Sequence, residues 1–207
     1  IGLYSGVYAS DWYWSPLFFD FDNDGNKDLF ISNGIPKRLN DIDYINFISN
    51  VDLQEKMKAT GLDKKDLKLI DRFPQIKIPN KFFRDGKDMQ FTDMADHIEN
   101  DKNTYSNGAV YADFDNDGDL DVVVNNIDDP ALLYKNESND KKEKPFVEIK
   151  LKGSDKNINA IGAKIILFAN GAIRTYEKYP VRGFMSSSET PVHIGMENTK
   201  VDSAFLI

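Results

Sequence analysis

Two short segments hold the side chains whose types and spacing could bind a metal ion. In the first, aspartate recurs at every second position from Asp20 to Asp24, Gly25 follows, and Asp28 ends the segment. Carboxylates at alternating positions of a tight turn converge on one side of the chain, and such charges repel one another unless a cation neutralises them. The segment therefore predicts a cation-binding loop.

The same pattern returns 93 residues later in the chain. Residues 18–33 align without gaps on residues 111–126, and eight of the sixteen positions are identical. In each copy an apolar stretch precedes the acidic loop and β-forming residues follow it, so we expect a strand, an acidic turn and a second strand. Because this context occurs twice, the alternative of a merely polar turn is the weaker interpretation.

Calcium is the ion that the two loops predict, because Ca²⁺ takes six to eight oxygen ligands whereas Mg²⁺ requires a stricter octahedron and keeps several waters. Gly25 and Gly118, at position 6, allow the backbone to turn through positive φ. An EF-hand is excluded because Ile31 and Val124 replace its position-12 glutamate. The predicted ligands, with position 7 contributing its carbonyl, are Asp20, Asp22, Asp24, Asn26 and Asp28 for one Ca²⁺, and Asp113, Asp115, Asp117, Asp119 and Asp121 for the other.

Composition excludes several classes of protein. The 207 residues contain no cysteine, so disulfides and thiolate chemistry are ruled out. The net charge is −8, and the two loops hold nine of the 34 acidic residues, which argues against a nucleic-acid partner. No apolar run approaches the roughly 18 residues of a membrane helix, so we expect no transmembrane segment.

Catalytic patterns are weak, and we expect the chain not to be an enzyme. His97 and His193 are far apart in sequence, and the serines at 186–188 lack the G-x-S-x-G context of a hydrolase. No pair of glutamates is singled out for glycoside hydrolysis. The aromatic residues at 12–14 have two interpretations, packing between strands or a platform on which a sugar stacks.

Patterns around the loops predict the organisation of the chain. Helical signals extend over about 36–73, including a hydrophobic staple from Leu62 to Leu67, and short strands are expected at 81–84 and 89–92. Residues 136–145 are typical of a linker. Beyond it, Val147, Ile149 and Leu151 alternate with polar residues, and Asn170-Gly171 predicts a hairpin within a small β unit. We therefore expect one region at 1–140 with a helical insertion and a second at 146–207.

Two stretches resemble known families. DWYWSPLFFDFDNDGNKDLFISNG and YSNGAVYADFDNDGDLDVVVNN closely resemble FG-GAP/VCBS repeats, the calcium-loop blades of integrin-α-like β-propellers. IGAKIILFANGAIRTYEKYPVRGFMSSSETPVHIGM resembles the ASPIC/UnbV domain that follows such repeats in many secreted bacterial proteins. The resemblance implies a mainly β fold with partial propeller-like blades, calcium loops, a small helical insertion and a C-terminal β-sandwich-like domain.

The resemblance also implies a function. It points to a secreted or cell-surface calcium-binding module, in bacteria at the outer surface, that recognises a glycan or an extracellular protein. Two alternatives stay open: an accessory or catalytic part of a polysaccharide-degrading enzyme, and a purely structural calcium-stabilised repeat. Because only about two blades are present and the chain begins at Ile1, we expect either a fragment of a longer protein with further blades, or sheet edges that the helices, the C-terminal unit or a partner chain cover.

Overall fold

Antiparallel strands dominate the part of the chain that the structure describes, which confirms the prediction of a mainly β fold. The computed structural model describes residues 1–9, 11–36, 42–59, 75–188, 191–197 and 199–207. The strands are β1 (Tyr13–Phe19), β2 (Asp28–Asn33), β3 (Lys81–Asp85), β4 (Phe91–Asp93), β5 (Ser106–Ala112), β6 (Asp121–Asn126), β7 (Leu132–Tyr134), β8 (Phe146–Ile149), β9 (Lys164–Ala169), β10 (Ala172–Glu177), β11 (Val192–Gly195) and β12 (Val201–Leu206).

Helices are short. They are α1 (Gly2–Ser5), α2 (Ile42–Ile48), α3 (Val51–Ala59) and α4 (Ser138–Lys141), with 3₁₀ segments at Lys87–Met89 and Ala95–His97. Helix α3 begins after Asn50, whose side-chain oxygen accepts a hydrogen bond from the Leu53 amide at 3.1 Å and so satisfies a free amide of the first turn. None of the described helices is long and apolar enough to cross a membrane.

The first sheet is an antiparallel meander in the order β1-β2-β3-β4. Strand β1 lies at its edge, which is where Pro16 is tolerated because an edge strand has unpaired amides. The pairing of β1 with β2 shifts between Tyr13 and Pro16 and then runs regularly to Phe19, which faces Asp28. The first acidic loop is thus the connection of a hairpin.

The second sheet, β5-β6-β7, repeats this geometry at the same offset in sequence. Its register shifts between Ser106 and Ala109 and then runs to Ala112, which faces Asp121. Each of these positions lies 93 residues after its counterpart in the first hairpin. The predicted strand, acidic turn and strand are confirmed in both copies. The structure also shows that the pairing is irregular at the same place in each copy.

One core joins the two sheets. It contains Leu17, Phe19, Phe30 and Phe82 from the first sheet and Ala109, Leu120, Val122 and Val124 from the region of the second. Phe19 stacks on Tyr111 with ring centroids 4.6 Å apart, so aromatic contacts link the two hairpins. The loops that leave these hairpins are consequently held on a shared apolar base.

The C-terminal strands form two further sheets, β10-β9-β12 and β11-β8. Their core contains Leu167, Ala169 and Ile194, with Ile149 packed against it. The hairpin predicted at Asn170-Gly171 is confirmed: β9 ends at Ala169, β10 begins at Ala172, and both turn residues have positive φ. Together these strands make the C-terminal unit, which comprises residues 146–207.

Some predicted boundaries differ from the structure. The strand predicted at 89–92 begins only at Phe91, because Asp88 and Met89 have positive φ and turn the chain before it. The strand predicted around Val147 ends at Ile149, so Leu151 lies outside it. Helices α2 and α3 fall within the predicted helical insertion, whereas the staple from Leu62 to Leu67 lies outside the described residues.

Candidate metal centre

The first acidic loop brings three carboxylates together. Asp20, Asp22 and Asp24 each offer an oxygen, and these oxygens lie within 4.8 Å of one another. The turn is made by Asn23 at φ 57° and Gly25 at φ 89°, conformations that asparagine and glycine accept readily. Asp20 holds the turn closed, because its carboxylate accepts hydrogen bonds from the amides of Asp24 at 3.2 Å and Gly25 at 2.8 Å.

The second loop repeats this arrangement with Asp113, Asp115 and Asp117. Asp113 accepts hydrogen bonds from the Asp117 amide at 3.2 Å and the Gly118 amide at 3.0 Å, as Asp20 does in the first loop. One difference lies at position 3, where Lys135 forms an ion pair with Asp115 at 2.9 Å. That hydrogen bond lowers the pKa of Asp115, so a side-chain cation already balances part of this triad.

In the first triad, burial and the crowding of like charges both raise the pKa values of Asp20 and Asp22. Burial raises the pKa of Asp20 to about 7, and the charges of Asp24 and Asp22 raise it further against the lowering effect of the Gly25 amide. The pKa of Asp22 is also raised, by burial and by Asp24, with Lys144 opposing the shift. Carboxylates that resist ionisation for these reasons are the ones that a divalent cation would relieve.

The position-9 aspartates clamp the ends of the loops. Asp28 accepts hydrogen bonds from the Phe21 amide at 3.0 Å and the Asp85 amide at 2.8 Å, and burial raises its pKa to about 8. Asp121 does the same with the amides of Phe114 at 3.0 Å and Asn136 at 2.7 Å. Each carboxylate oxygen keeps a second lone pair, so the clamping role and the predicted role as a ligand are compatible.

Position 7 differs between the two loops. Asn26 is exposed, and its amide donates to Asp24 at 2.7 Å. Asp119 is fully buried, and its Oδ2 accepts a hydrogen bond from the Asn139 amide at 2.9 Å. Two buried oxygens, Asp119 Oδ1 and Asp117 Oδ2, accept no hydrogen bond from any residue that the structure describes. Burial and the charge of Asp117 raise the pKa of Asp119, so this loop also has acceptor capacity that a cation could use.

The residues present therefore fit a hard divalent cation. Each loop supplies a carboxylate triad on a backbone fixed by its own amides, and all of its donors are oxygen atoms, the donors that Ca²⁺ prefers. When bound, the ion would supply positive charge to the loop and no redox chemistry. Asp20, Asp22 and Asp24 would hold one ion, and Asp113, Asp115 and Asp117 the other.

Asn23, which the sequence analysis did not select, connects the loops to each other and to the C-terminal unit. Its side chain is fully buried; Nδ2 donates to the Gly118 carbonyl at 2.8 Å, and Oδ1 lies 2.7 Å from His193 Nε2. Its carbonyl accepts a hydrogen bond from the Glu197 amide at 3.1 Å. The one available signal was an asparagine at position 4 of both loops, a residue type suited to positive φ.

The C-terminal unit packs directly against both loops. The Gly195 amide donates to Asp20 Oδ2 at 3.2 Å, and a Cβ at Gly195 would lie only 2.2 Å from that oxygen. Phe146 lies so close to Gly118 that a Cβ there would meet its ring at 2.1 Å, and the Phe146 ring stacks on His193. Glycine is therefore needed at both contacts for steric reasons.

Residues 136–145 are not a passive linker, which corrects the interpretation of their polarity. Asn136 Nδ2 donates to the Phe21 carbonyl at 2.6 Å, and Asn139 Nδ2 donates to the Asp117 carbonyl at 3.1 Å. Lys144 donates to the Asp22 carbonyl and forms an ion pair with Glu197 at 3.0 Å. The polar side chains of this segment satisfy backbone carbonyls of both loops.

The residues considered for catalysis occupy packing or surface positions. His193 is packed between Phe146 and Asn23, whereas His97 lies in an exposed 3₁₀ segment. Ser186 donates to the Phe184 carbonyl at 2.7 Å. Among the aromatic residues at 12–14, Trp14 is used for packing, since its ring lies 4.6 Å from that of Phe184.

Comparison with known proteins concerns the C-terminal unit. Residues 153–207 match the family model described as ASPIC and UnbV, which supports the C-terminal domain predicted from the sequence. No curated protein matches the chain significantly. The chain thus contains a region similar to the ASPIC and UnbV family, and that region packs on the first acidic loop.

Proposed function

We propose that this chain is a calcium-binding module in which two FG-GAP/VCBS-type loops bind Ca²⁺ and thereby order the surface on which the C-terminal unit sits. The observation that carries the proposal is the pair of carboxylate triads, each with oxygens within 4.8 Å, at equivalent positions of two hairpins in identical register. In this proposal the four-stranded and three-stranded sheets are blades of a partial β-propeller.

The proposed role is recognition of a glycan or a protein outside the cell. Extracellular calcium modules bind at about 10⁻⁴–10⁻³ M, a range that fits extracellular calcium concentrations. Secretion or display at a bacterial outer surface is therefore part of the proposal. Missing blades or a partner chain would cover the free edges of the sheets.

A structural role for calcium is the second candidate, and a specific contact favours it. The amide of Gly195 donates a hydrogen bond to Asp20 Oδ2, so the first loop is partly covered by the chain's own C-terminal unit. On this reading the ions hold the hairpins and the C-terminal unit together, and the chain binds no external ligand.

Thermal unfolding with and without calcium tests the proposal. We expect the melting temperature to rise when millimolar Ca²⁺ replaces EDTA, since an ion bound only by the folded state adds RT ln(1 + [L]/Kd) to the free energy of unfolding. Calorimetric titration should give two ions per chain, and one in either Asp22→Asn or Asp115→Asn. Asp155→Asn, at an exposed position outside both loops, is the matched control.

An unchanged melting temperature, together with no heat of Ca²⁺ binding, would overturn calcium binding. If calcium binds but a polysaccharide and protein panel gives no retention, the structural candidate is favoured. Release of reducing ends from the panel would instead indicate an enzyme.

A further inference from the structure

A cleft of about 480 Å³ lies between the first hairpins and the C-terminal unit. Its walls come from β1 and β5 on one side and from β10 and the following residues on the other, with Asp20 and Asn26 of the first acidic loop at its margin. This volume falls within the range of small-ligand sites, roughly 300–1,000 Å³. The cleft exists only because the C-terminal unit packs against the repeats.

Three cationic side chains, Lys27, Lys178 and Arg182, line this cleft, and the first and last of them have no carboxylate partner among the described residues. Lys27 Nζ lies 5.1 Å from the centroid of the Tyr176 ring and 3.5 Å from the Thr175 carbonyl. Arg182 donates to the Glu177 carbonyl at 3.0 Å. Within the described part of the chain, neither side chain forms an ion pair with a carboxylate within 4.0 Å.

The carboxylates nearest to these cations are engaged elsewhere. The Glu177 side chain lies 3.8 Å from Lys164, on the opposite strand of its hairpin. Asp20 accepts hydrogen bonds from three backbone amides and faces its own triad. Lys27 and Arg182 both line the same cleft. Like charges that face one cleft are stabilised when an anion lies between them.

Aromatic rings also line the cleft. Phe18 and Tyr179 line the cleft and are each about half exposed, and the Tyr176 ring lies beneath Lys27. Exposed rings offer flat apolar faces, whereas the hydroxyl groups of Tyr111 and Ser188 offer polar contacts in the same cleft. This mixture of aromatic faces, hydroxyl groups and cations matches a ligand that is polar, flat-faced and negatively charged.

We propose that this cleft binds an acidic saccharide, with a sugar face on the aromatic rings and its carboxylate or sulfate group between Lys27 and Arg182. The proposal deepens the recognition role proposed above and rests on it for its glycan context. It does not require calcium for its contacts, since Lys27 and Arg182 are side chains of the chain itself.

Calorimetric titration with matched saccharides tests the assignment. Trigalacturonate is compared with its methyl-esterified form, which has the same rings without the charges, and a heparin-derived hexasaccharide provides the sulfate arm. We expect the wild-type chain to bind at least one charged probe, and the uncharged ester at least about tenfold more weakly. Lys27→Gln and Arg182→Gln should each weaken binding of the charged probe by about tenfold, and Lys150→Gln, an exposed lysine outside the cleft, should not.

Three results would overturn the assignment. The first is equal affinity for the charged and esterified sugars, and the second is unchanged binding of the charged probe in both cleft variants. The third is binding of hexaglutamate without binding of either charged saccharide, because that result would indicate a protein partner. Each titration is repeated in EDTA and in calcium, with the melting temperature recorded alongside. If calcium raises the melting temperature but no saccharide binds, calcium binding stands and this inference is wrong. If a saccharide binds but calcium has no effect, this inference stands and calcium binding is wrong.

Discussion

His193 and Asn23 show how a single pair of side chains fixes the contact between the C-terminal unit and the loops. Because Asn23 Nδ2 donates to the Gly118 carbonyl, its Oδ1 faces His193 and accepts a hydrogen bond from the Nε2–H group. The other ring nitrogen, Nδ1, is buried and has no hydrogen-bond partner among the described residues. The imidazole is therefore held neutral, and burial lowers its pKa to about 4 although the charge of Asp113 opposes the shift.

Acidification should weaken the fold through His193. Between its ordinary pKa of 6.5 and its folded pKa of about 4, the unfolded chain binds the proton more tightly, so the free energy of unfolding falls as the pH falls through this range. With allowance for partial exposure, we expect a loss on the order of 1–2 kcal/mol. His193→Gln keeps a donor for Asn23 and removes the titration.

Urea unfolding of both proteins from pH 7 to pH 4, in EDTA, measures this contribution as a difference. The comparison is necessary because Asp20 and Asp28, whose folded pKa values are raised, act in the opposite direction by favouring the folded state when protonated. Subtraction of the His193→Gln curve cancels the carboxylates. Parallel curves for the two proteins would show that the imidazole is not held neutral.

The elements show which parts of the fold the sequence could predict. The acidic hairpins and the Asn170-Gly171 turn were predictable because the backbone of each turn requires particular residue types. Carboxylates accept hydrogen bonds from the free amides of the turn, and glycine or asparagine adopts positive φ readily. The start of β4 was not predictable, since Met89 adopts a positive φ that is uncommon for an apolar side chain, directly after Asp88 in the same conformation. Local chemistry at a turn is visible in a sequence, whereas strain imposed by the surrounding structure is not.

Contacts that depend on distant residues were also beyond the sequence. The linker interpretation of residues 136–145 followed from their polarity, but that polarity serves the carbonyls of loops far away in the chain. Gly195 and Asp20 are 175 positions apart in the sequence, so their contact has no local signal. For the candidate metal centre, spacing therefore predicted two carboxylate clusters and missed the unit that covers them.

Lys135 makes the second hairpin less dependent on calcium than the first. It pairs with Asp115 at 2.9 Å and with Asp140 at 3.2 Å, so it supplies positive charge at one side of the second triad. Lys135→Gln removes this charge, and the carboxylates of the loop should then repel one another more strongly in EDTA. Because solvent screens this exposed pair, we expect a small loss of stability in EDTA and a smaller one in calcium.

The readout for Lys135→Gln is the rise in melting temperature on addition of Ca²⁺, which should exceed that of the wild type. Lys141→Gln is the control, since Lys141 is an exposed lysine of the same region that pairs with Glu137 and not with the triad. An equal rise in all three proteins would show that Lys135 does not balance the second loop.

At the scale of the whole molecule, the two acidic loops form the surface on which the C-terminal unit rests. The Gly195 amide donates to a carboxylate of the first triad, and the Glu197 amide donates to the carbonyl of Asn23 within the same loop. Any ion that fixes the loop therefore also fixes the acceptors of these two amides. Calcium binding and the packing of the C-terminal unit should be linked in free energy.

Amide hydrogen exchange measures this linkage at individual residues. The amides of Gly195 and Glu197 should exchange more slowly in calcium than in EDTA, by up to about a hundredfold when free calcium is a hundred times its Kd, which corresponds to about 2.7 kcal/mol. Asp22→Asn should remove the difference, because it weakens the first triad without altering an acceptor of either amide. The amides of Phe205 and Leu206, where β12 pairs with β9, lie in the same unit and provide the internal reference. Calcium-independent exchange at Gly195, in a protein whose Gly25 amide becomes protected, would show that the loop binds its ion without holding the C-terminal unit.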